Sequence, residues 1–221
     1  MRIELDFAAV WVDWPMLLEG AAWTVGLTAV SAVLGVLLGV ACAWVRHEGP
    51  TWLRWPVAAY VELIRNTPFI VQLFFVFFGL PVLGLRLSPE VSSVLAMVIN
   101  LGAYSTEIVR AGLRATPRGQ LDAASSLALN RWQTLLHVVL PPALQRVWPA
   151  LNSQIIIVML GSAVCGQIST PELSHAANLI QSRNFRAFEA FIIASGIYLL
   201  LAMLTRRLID AVGQRIFARG R

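Results

Sequence analysis

Lysine is absent from this 221-residue chain, and charged residues of any kind make up only 13% of it. A soluble domain carries about a quarter charged residues, so the shortage excludes an ordinary water-soluble protein. Without lysine there is no Gly-x-x-x-x-Gly-Lys phosphate loop, and ATP hydrolysis within this chain is excluded. The two cysteines, Cys42 and Cys165, lie in separate apolar stretches and make neither a disulfide framework nor a metal motif. His47, His137 and His175 are scattered too widely to form a metal cluster or catalytic pair by proximity. The first residues lack the basic flank and small-residue cleavage site of a signal peptide.

What fills the chain instead is apolar: 57% hydrophobic residues at a mean hydropathy of +0.70. A spanning helix needs about 20 largely apolar residues to cross a hydrocarbon layer about 30 Å thick. Five candidates satisfy this, near 20–45, 57–83, 91–110, 149–168 and 188–208. The polar run Glu62, Arg65, Asn66, Thr67, Pro68 interrupts the start of the second, whose clean apolar part is Phe69 to Phe78. The expected fold is therefore an all-α membrane bundle of about five spans over residues 20–210. Residues 1–19 form a mildly acidic tail with an interfacial segment from Phe7 to Trp14, and 211–221 form a second tail.

All 17 basic residues are arginine. With the N-terminus outside, thirteen fall on inner segments, Arg46, Arg219 and Arg221 among them, and four, Arg2 included, on outer ones. The positive-inside rule then predicts N-terminus out and C-terminus in, and it explains the high pI without nucleic acid. The tryptophans at 23, 44, 52, 55 and 148 fall near predicted span ends, where amphipathic rings anchor at the headgroup level. Gly26, Ala29, Gly35, Gly39 and Ala43 recur on nearby faces of the first span, as close helix approach requires.

The longest inner loop, 111–148, reads as two short helices. Pro117 starts the first, which runs from Gly119 to about Leu129. Asn130 breaks or caps, and the run Arg131–Leu140 is stopped by Pro141 and Pro142. Small residues at Ala123, Ala124 and Ala128 let a helix seat against a partner, and Asp122 near its start suits the helix dipole. An amphipathic helix lying on the membrane is the alternative.

The stretch GQLDAASSLALNRWQTLLHVVLPPAL (119–144) resembles the cytoplasmic loop of permease subunits of ABC importers. The family pattern is Glu-Ala-Ala, a Gly four residues on, then Ile-x-Leu-Pro ten beyond the Gly. Asp122, Ala123, Ala124, Ala128, Val138, Leu140 and Pro141 occupy those positions at intact spacing. The segments 62–81, 103–120 and 182–191 resemble the polar amino acid branch of that family. The resemblance implies a type I importer permease fold, with Gly119, Asp122, Ala123, Ala124, Leu127, Ala128 and Leu129 forming a coupling helix. It also implies partners: a pair of ATPase subunits holding ATP and Mg²⁺, a second identical or related permease, and an extracytoplasmic binding protein meeting 83–90 and 171–187. No cofactor is implied for this chain itself. Many relatives carry Lys-Asp-Thr-Ser in the fourth span, where Leu160, Gly161, Ser162 and Ala163 stand here.

Polar groups at membrane depth usually face a bundle interior or a water-filled path. Asn100, Tyr104 and Glu107 share one face of the third span. With Gln72, Gln154 and Ser162, the residues Asn100 and Tyr104 form the candidate translocation path, offering donors and acceptors to an ammonium and a carboxylate. Helix–helix hydrogen bonding is the competing reading. Glu62 with Arg65, and Glu107 with Arg110, are candidate pairs at an inner gate. The function expected is ATP-driven import of a polar amino acid. An opine, a sulfur amino acid or another small zwitterion remains open as cargo, and a non-ABC channel or assembly protein as class.

Overall fold

In a computed structural model, residues 5–217 are described; Met1–Glu4 and 218–221, with Arg2, Arg219 and Arg221, lie outside them. The described residues are helical throughout, with short links: α1 Ala8–Trp11, α2 Trp14–Glu48, α3 Thr51–Arg65, α4 Phe69–Phe74, α5 Pro89–Arg114, α6 Arg118–Ser126, α7 Arg131–Gln133, α8 Leu140–Gly161, α9 Leu173–Asn184 and α10 Ala187–Phe217. Four stretches are long and apolar enough to cross a membrane: 14–48, 89–114, 131–168 and 187–217. A fifth joins them when α3 and the Phe69–Leu83 run, bent by 114°, count as one span.

The bundle is organised by α2 lying along α5. Every third or fourth residue of α2 on that side is small: Thr24, Thr28, Ser31, Gly35, Gly39 and Ala43 are all buried. A Cβ on Gly39 would collide with Ser105, and one on Gly35 would lie 2.9 Å from Leu101. Lipid tails are as apolar as leucine, so close van der Waals packing, not hydrophobicity, joins such helices. Three apolar clusters follow. One centres on Leu73, Met97, Leu101 and Ile155; another joins Leu17 and Ile180 to Ala190; a third sets Ala43 and Leu113 against Val139 and Ala143.

Several expectations need correction. The second span is two helices, because Pro68 has no N–H to donate and biases Thr67 away from helix. The first span begins at Trp14, so most of the expected tail is helical, and Val10 and Leu17 are buried. Pro141 and Pro142 do not stop the loop's second run. They sit in the first turn of α8, where a missing N–H is tolerated, and the six residues Thr134–Val139 before them form a π-helix. The fourth span therefore reaches back past Pro149 to Arg131. Two tryptophans are not free anchors. Trp44 stacks on Trp132 at 4.5 Å, and Trp148 donates Nε1–H to the carbonyl of Ile209 at 3.1 Å. Trp52 and Trp55 are 72% and 74% exposed.

Candidate functional site

The helix break at Asn66-Thr67-Pro68 leaves the carbonyls of Leu63, Ile64 and Arg65 without intrahelical donors, while that of Glu62 takes the Asn66 backbone N–H at 3.1 Å. Side chains reach all three, and add a second donor to Glu62. The Asn66 amide donates to Glu62 O at 2.8 Å, the Thr67 hydroxyl to Leu63 O at 2.9 Å and Gln72 Nε2 to Ile64 O at 2.7 Å. The Tyr104 hydroxyl reaches Arg65 O at 3.5 Å. Gln72 also donates to Thr67 O, and its Oε1 accepts from Asn100 Nδ2 at 2.9 Å. Tyr60 ties α3 to α5 by donating to Ile99 O at 2.6 Å. Three of the five candidate path residues, Gln72, Asn100 and Tyr104, are thus brought together around the broken helix.

The other two stand apart. Ser162 is fully buried and donates to Met159 O at 2.7 Å, within its own helical run. Gln154 is half-buried on α8, beside Asn152, which bonds Asp210 of α10 at 2.7 Å.

Of the gate candidates, Glu107 and Arg110 pair at 2.6 Å, and Arg46 of α2 closes on the same carboxylate. Glu62 and Arg65 do not pair. Glu62 accepts from the Asn66 amide at 3.2 Å, and the Arg65 guanidinium lies over the Tyr104 ring, 5.5 Å from its centre.

The loop after α5 is held at its neck. Arg146 of α8 donates to Ala115 O at the end of α5 at 2.6 Å. Below it, Gly112 approaches the backbone of Ala143 so closely that a Cβ would lie 2.9 Å from its carbonyl oxygen. The α6 helix spans Arg118–Ser126 with Leu127 as its C-cap, slightly shorter than the expected 119–129. Two bonds finish it: Ala128 N to Ser125 O at 3.0 Å and Leu129 N to Ala124 O at 3.1 Å. This is the Schellman pattern, and it places Ala128 at φ 53°, a left-handed conformation that glycine adopts freely and alanine does not. Asn130 then caps α7 in a reciprocal box with Gln133, both bonds 2.9 Å. Ala124 is buried against the bundle, while Asp122 and Ala123 are exposed and Leu127 is 73% exposed. The turn thus presents small and apolar residues to the outside of the bundle.

The family described as the inner membrane component of binding-protein-dependent transport systems matches residues 35–218. The chain belongs to that family. It is a transport permease of the inner membrane with several spanning helices. It is 32% identical over 217 residues to the glutamine transport system permease GlnP of Escherichia coli K12, covering 97% of this chain and 99% of that one. Against the L-cystine permease TcyB of Bacillus subtilis it is 33% identical over 204 residues, covering 92% and 87%. The crystal structure of an amino acid ABC transporter with histidines superposes at a TM-score of 0.86, with 31% identity and 96% and 100% coverage. The inward-facing MetNI methionine transporter, at 21% identity and a TM-score of 0.73, shares the fold.

In this permease some structural residues escaped the sequence reading. Arg46 and Glu107 are 61 positions apart, and Arg146 and Ala115 31 apart; neither pairing leaves a local pattern. Glu172 had a signal, since an acid just before a helical run is an N-cap. It accepts from the backbone N–H groups of Ser174 at 2.9 Å and His175 at 2.7 Å, and from the Tyr198 hydroxyl. It is fully buried, and that burial pushes its carboxyl above the ordinary range, against the lowering by those three donors.

Proposed function

We propose that this permease is the translocating subunit of an ATP-driven importer for polar amino acids, with its N-terminus outside and C-terminus in the cytoplasm. The coupling loop carries the reading: a helix ending in an exposed Schellman turn, anchored at its neck by Arg146, in a chain whose relatives of similar length include a glutamine permease. Five spans make a thin wall, so two permease subunits, identical or related, face one another. A pair of ATPase chains binds ATP and Mg²⁺ and receives Asp122 to Leu129, while a binding protein delivers substrate to 83–90 and 171–187.

Closure of the ATPases pushes α6, and the neck passes the push to α5 and α8. The substrate's ammonium and carboxylate meet Gln72, Asn100 and Tyr104 beside the broken helix. Discontinuous helices whose freed backbone groups face a path are a recurrent transporter device. The ion cluster of Glu107, Arg46 and Arg110, with Glu62 and Arg65 across from it, forms the inner gate. Similarity to an L-cystine permease supports a sulfur amino acid as the second reading of the cargo.

The test is reconstitution of the permease with its ATPase and binding protein in liposomes, measuring ATP hydrolysis across a panel of amino acids. Stimulation by one or a few polar amino acids supports the proposal, and cystine alone selects the second reading. A permease that recruits no ATPase defeats both.

A further inference from the structure

Between α6 and the loop-side ends of α2 and α5 lies a cavity of about 440 Å³. Its charged lining is one-sided: Arg114, Arg118 and Arg131 against a single carboxylate, Glu48. None of these three arginines has an ion pair among the described residues. The hydroxyl of Thr116, on the same wall, is buried without a hydrogen-bond partner. Loop arginines as a class follow from membrane topology, but topology does not require three of them, drawn from α5, α6 and α7, to line one cavity. Like charges gathered there repel one another, and an occupant of opposite sign removes that penalty. Guanidinium groups are forks suited to phosphate oxygens.

Beside the hydroxyls of Ser125 and Thr134, the rest of the lining is aliphatic: Leu113, Leu121, Leu129, Leu135 and Val139. A cationic rim over an aliphatic wall suits a ligand with a phosphate at one end and carbon at the other. The site adjoins the ends of two spanning helices, α2 and α5, and basic pockets between spanning helices take anionic lipid headgroups.

We propose that this cavity binds a phosphate group, carried by an anionic phospholipid of the cytoplasmic leaflet or free in solution, and thereby sets the seat of the coupling helix on the bundle. The cytoplasmic placement rests on the orientation proposed above. An occupant there touches α6 on the side of Arg118, Leu121 and Ser125, leaving Ala123 and Leu127 on the other side for the ATPase.

The experiment uses the complete importer, purified, stripped of lipid and offered bicelles of phosphatidylcholine with or without phosphatidylglycerol. Retained lipid is counted by native mass spectrometry, and inorganic phosphate is added as competitor. Wild type retains phosphatidylglycerol, and the triple variant Arg114→Gln, Arg118→Gln, Arg131→Gln binds it about a hundredfold more weakly. Displacement of that lipid by millimolar phosphate, or phosphate bound alone, identifies the free anion as occupant; persistence of the lipid identifies the headgroup. Equal retention by wild type and variant overturns the proposal. So does a variant that loses its ATPase with lipid retention unchanged, which would hand the arginines to carboxylates of the partner. If the variant misfolds, Ser125→Asp alone adds a carboxylate to the cavity and must also weaken lipid retention. Labelling of Ser126→Cys by an impermeant thiol reagent, from outside or inside, tests the orientation separately from the binding result.

Discussion

The side-chain amide of Asn100, midway along α5, donates to the side-chain oxygen of Gln72 at 2.9 Å, while the nitrogen of that same Gln72 holds the carbonyls of Ile64 and Thr67. One glutamine thus connects the broken α3–α4 element to the helix at the bundle's centre. A ligand that takes the Asn100 N–H now given to Gln72 would compete with that bond, and releasing Gln72 loosens the grip on the break. On the proposed path, substrate recognition and helix geometry would share these side chains.

Replacement of Asn100 by leucine leaves Gln72 Oε1 without its donor, a loss of about 1–3 kcal/mol for a buried polar group. Uptake in proteoliposomes is expected to vanish while the complex still assembles on a sizing column. Asn100→Asp offers no donor when ionised and is expected to fail as well. Normal uptake by the leucine variant would remove Asn100 from the path.

The stack of Trp132 on Trp44 joins the coupling loop to α2. On the proposed mechanism the neck moves α5 and α8, and this stack adds a direct link from the loop to the first span beside the packing of α2 on α5 and the Arg46–Glu107 pair. Aromatic pairs contribute about 0.5–1.5 kcal/mol beyond their burial. Trp132→Ala is expected to leave basal ATP hydrolysis intact and to reduce its stimulation by substrate several-fold, with Trp132→Phe restoring most of it. Full stimulation in the alanine variant would mean that the stack carries none of the push and that α2 follows α5 alone.

The loop was legible because its signals are local: Pro117 before α6, Asn130 before α7, small residues between. The spans were legible as apolar runs, though their ends were not. The α2 helix runs 35 residues, about 52 Å at 1.5 Å per residue, well beyond a hydrocarbon layer of about 30 Å. Its first turn carries Pro15 and packs toward α9, and its other end is the Gly49-Pro50 step, so neither end is set by hydropathy. Pro141 and Pro142 misled because the π turn that precedes them has no composition signature. Of the polar residues chosen for the path, those near the helix break came together, whereas Ser162 found a partner within its own helix. Sequence spacing assigns a residue to a face; it does not say whether its hydrogen bonds are already used.

Ala128 sits at φ 53°, where the family pattern has glycine. A non-glycine residue in that region carries about 1–2 kcal/mol of steric penalty. Ala128→Gly is expected to raise the protection of the amides of Ala128 and Leu129 against hydrogen exchange, and to stabilise the turn by about 1 kcal/mol after glycine's extra unfolded-state entropy is deducted. Ala128→Val, β-branched and less tolerant of positive φ, is expected to move protection the other way. Unchanged exchange in the glycine variant would show that the turn is relaxed in solution.

Glu172 supplies a pH dependence of defined sign. Burial raises its carboxyl above the ordinary value in the folded chain, so the folded state binds this proton more tightly than the unfolded state does. The stabilisation from that proton is complete below the ordinary carboxylate range, and it is lost as pH climbs through the raised value. Glutamine keeps an acceptor for the amides of Ser174 and His175 and does not titrate. Thermal unfolding of wild type and Glu172→Gln in detergent, scanned upward from pH 4, is therefore expected to show wild type losing ground to the variant until the carboxyl is fully ionised, then running parallel. Wild type gaining on the variant as pH rises would mean that the three donors outweigh burial, with the carboxylate held charged inside the fold.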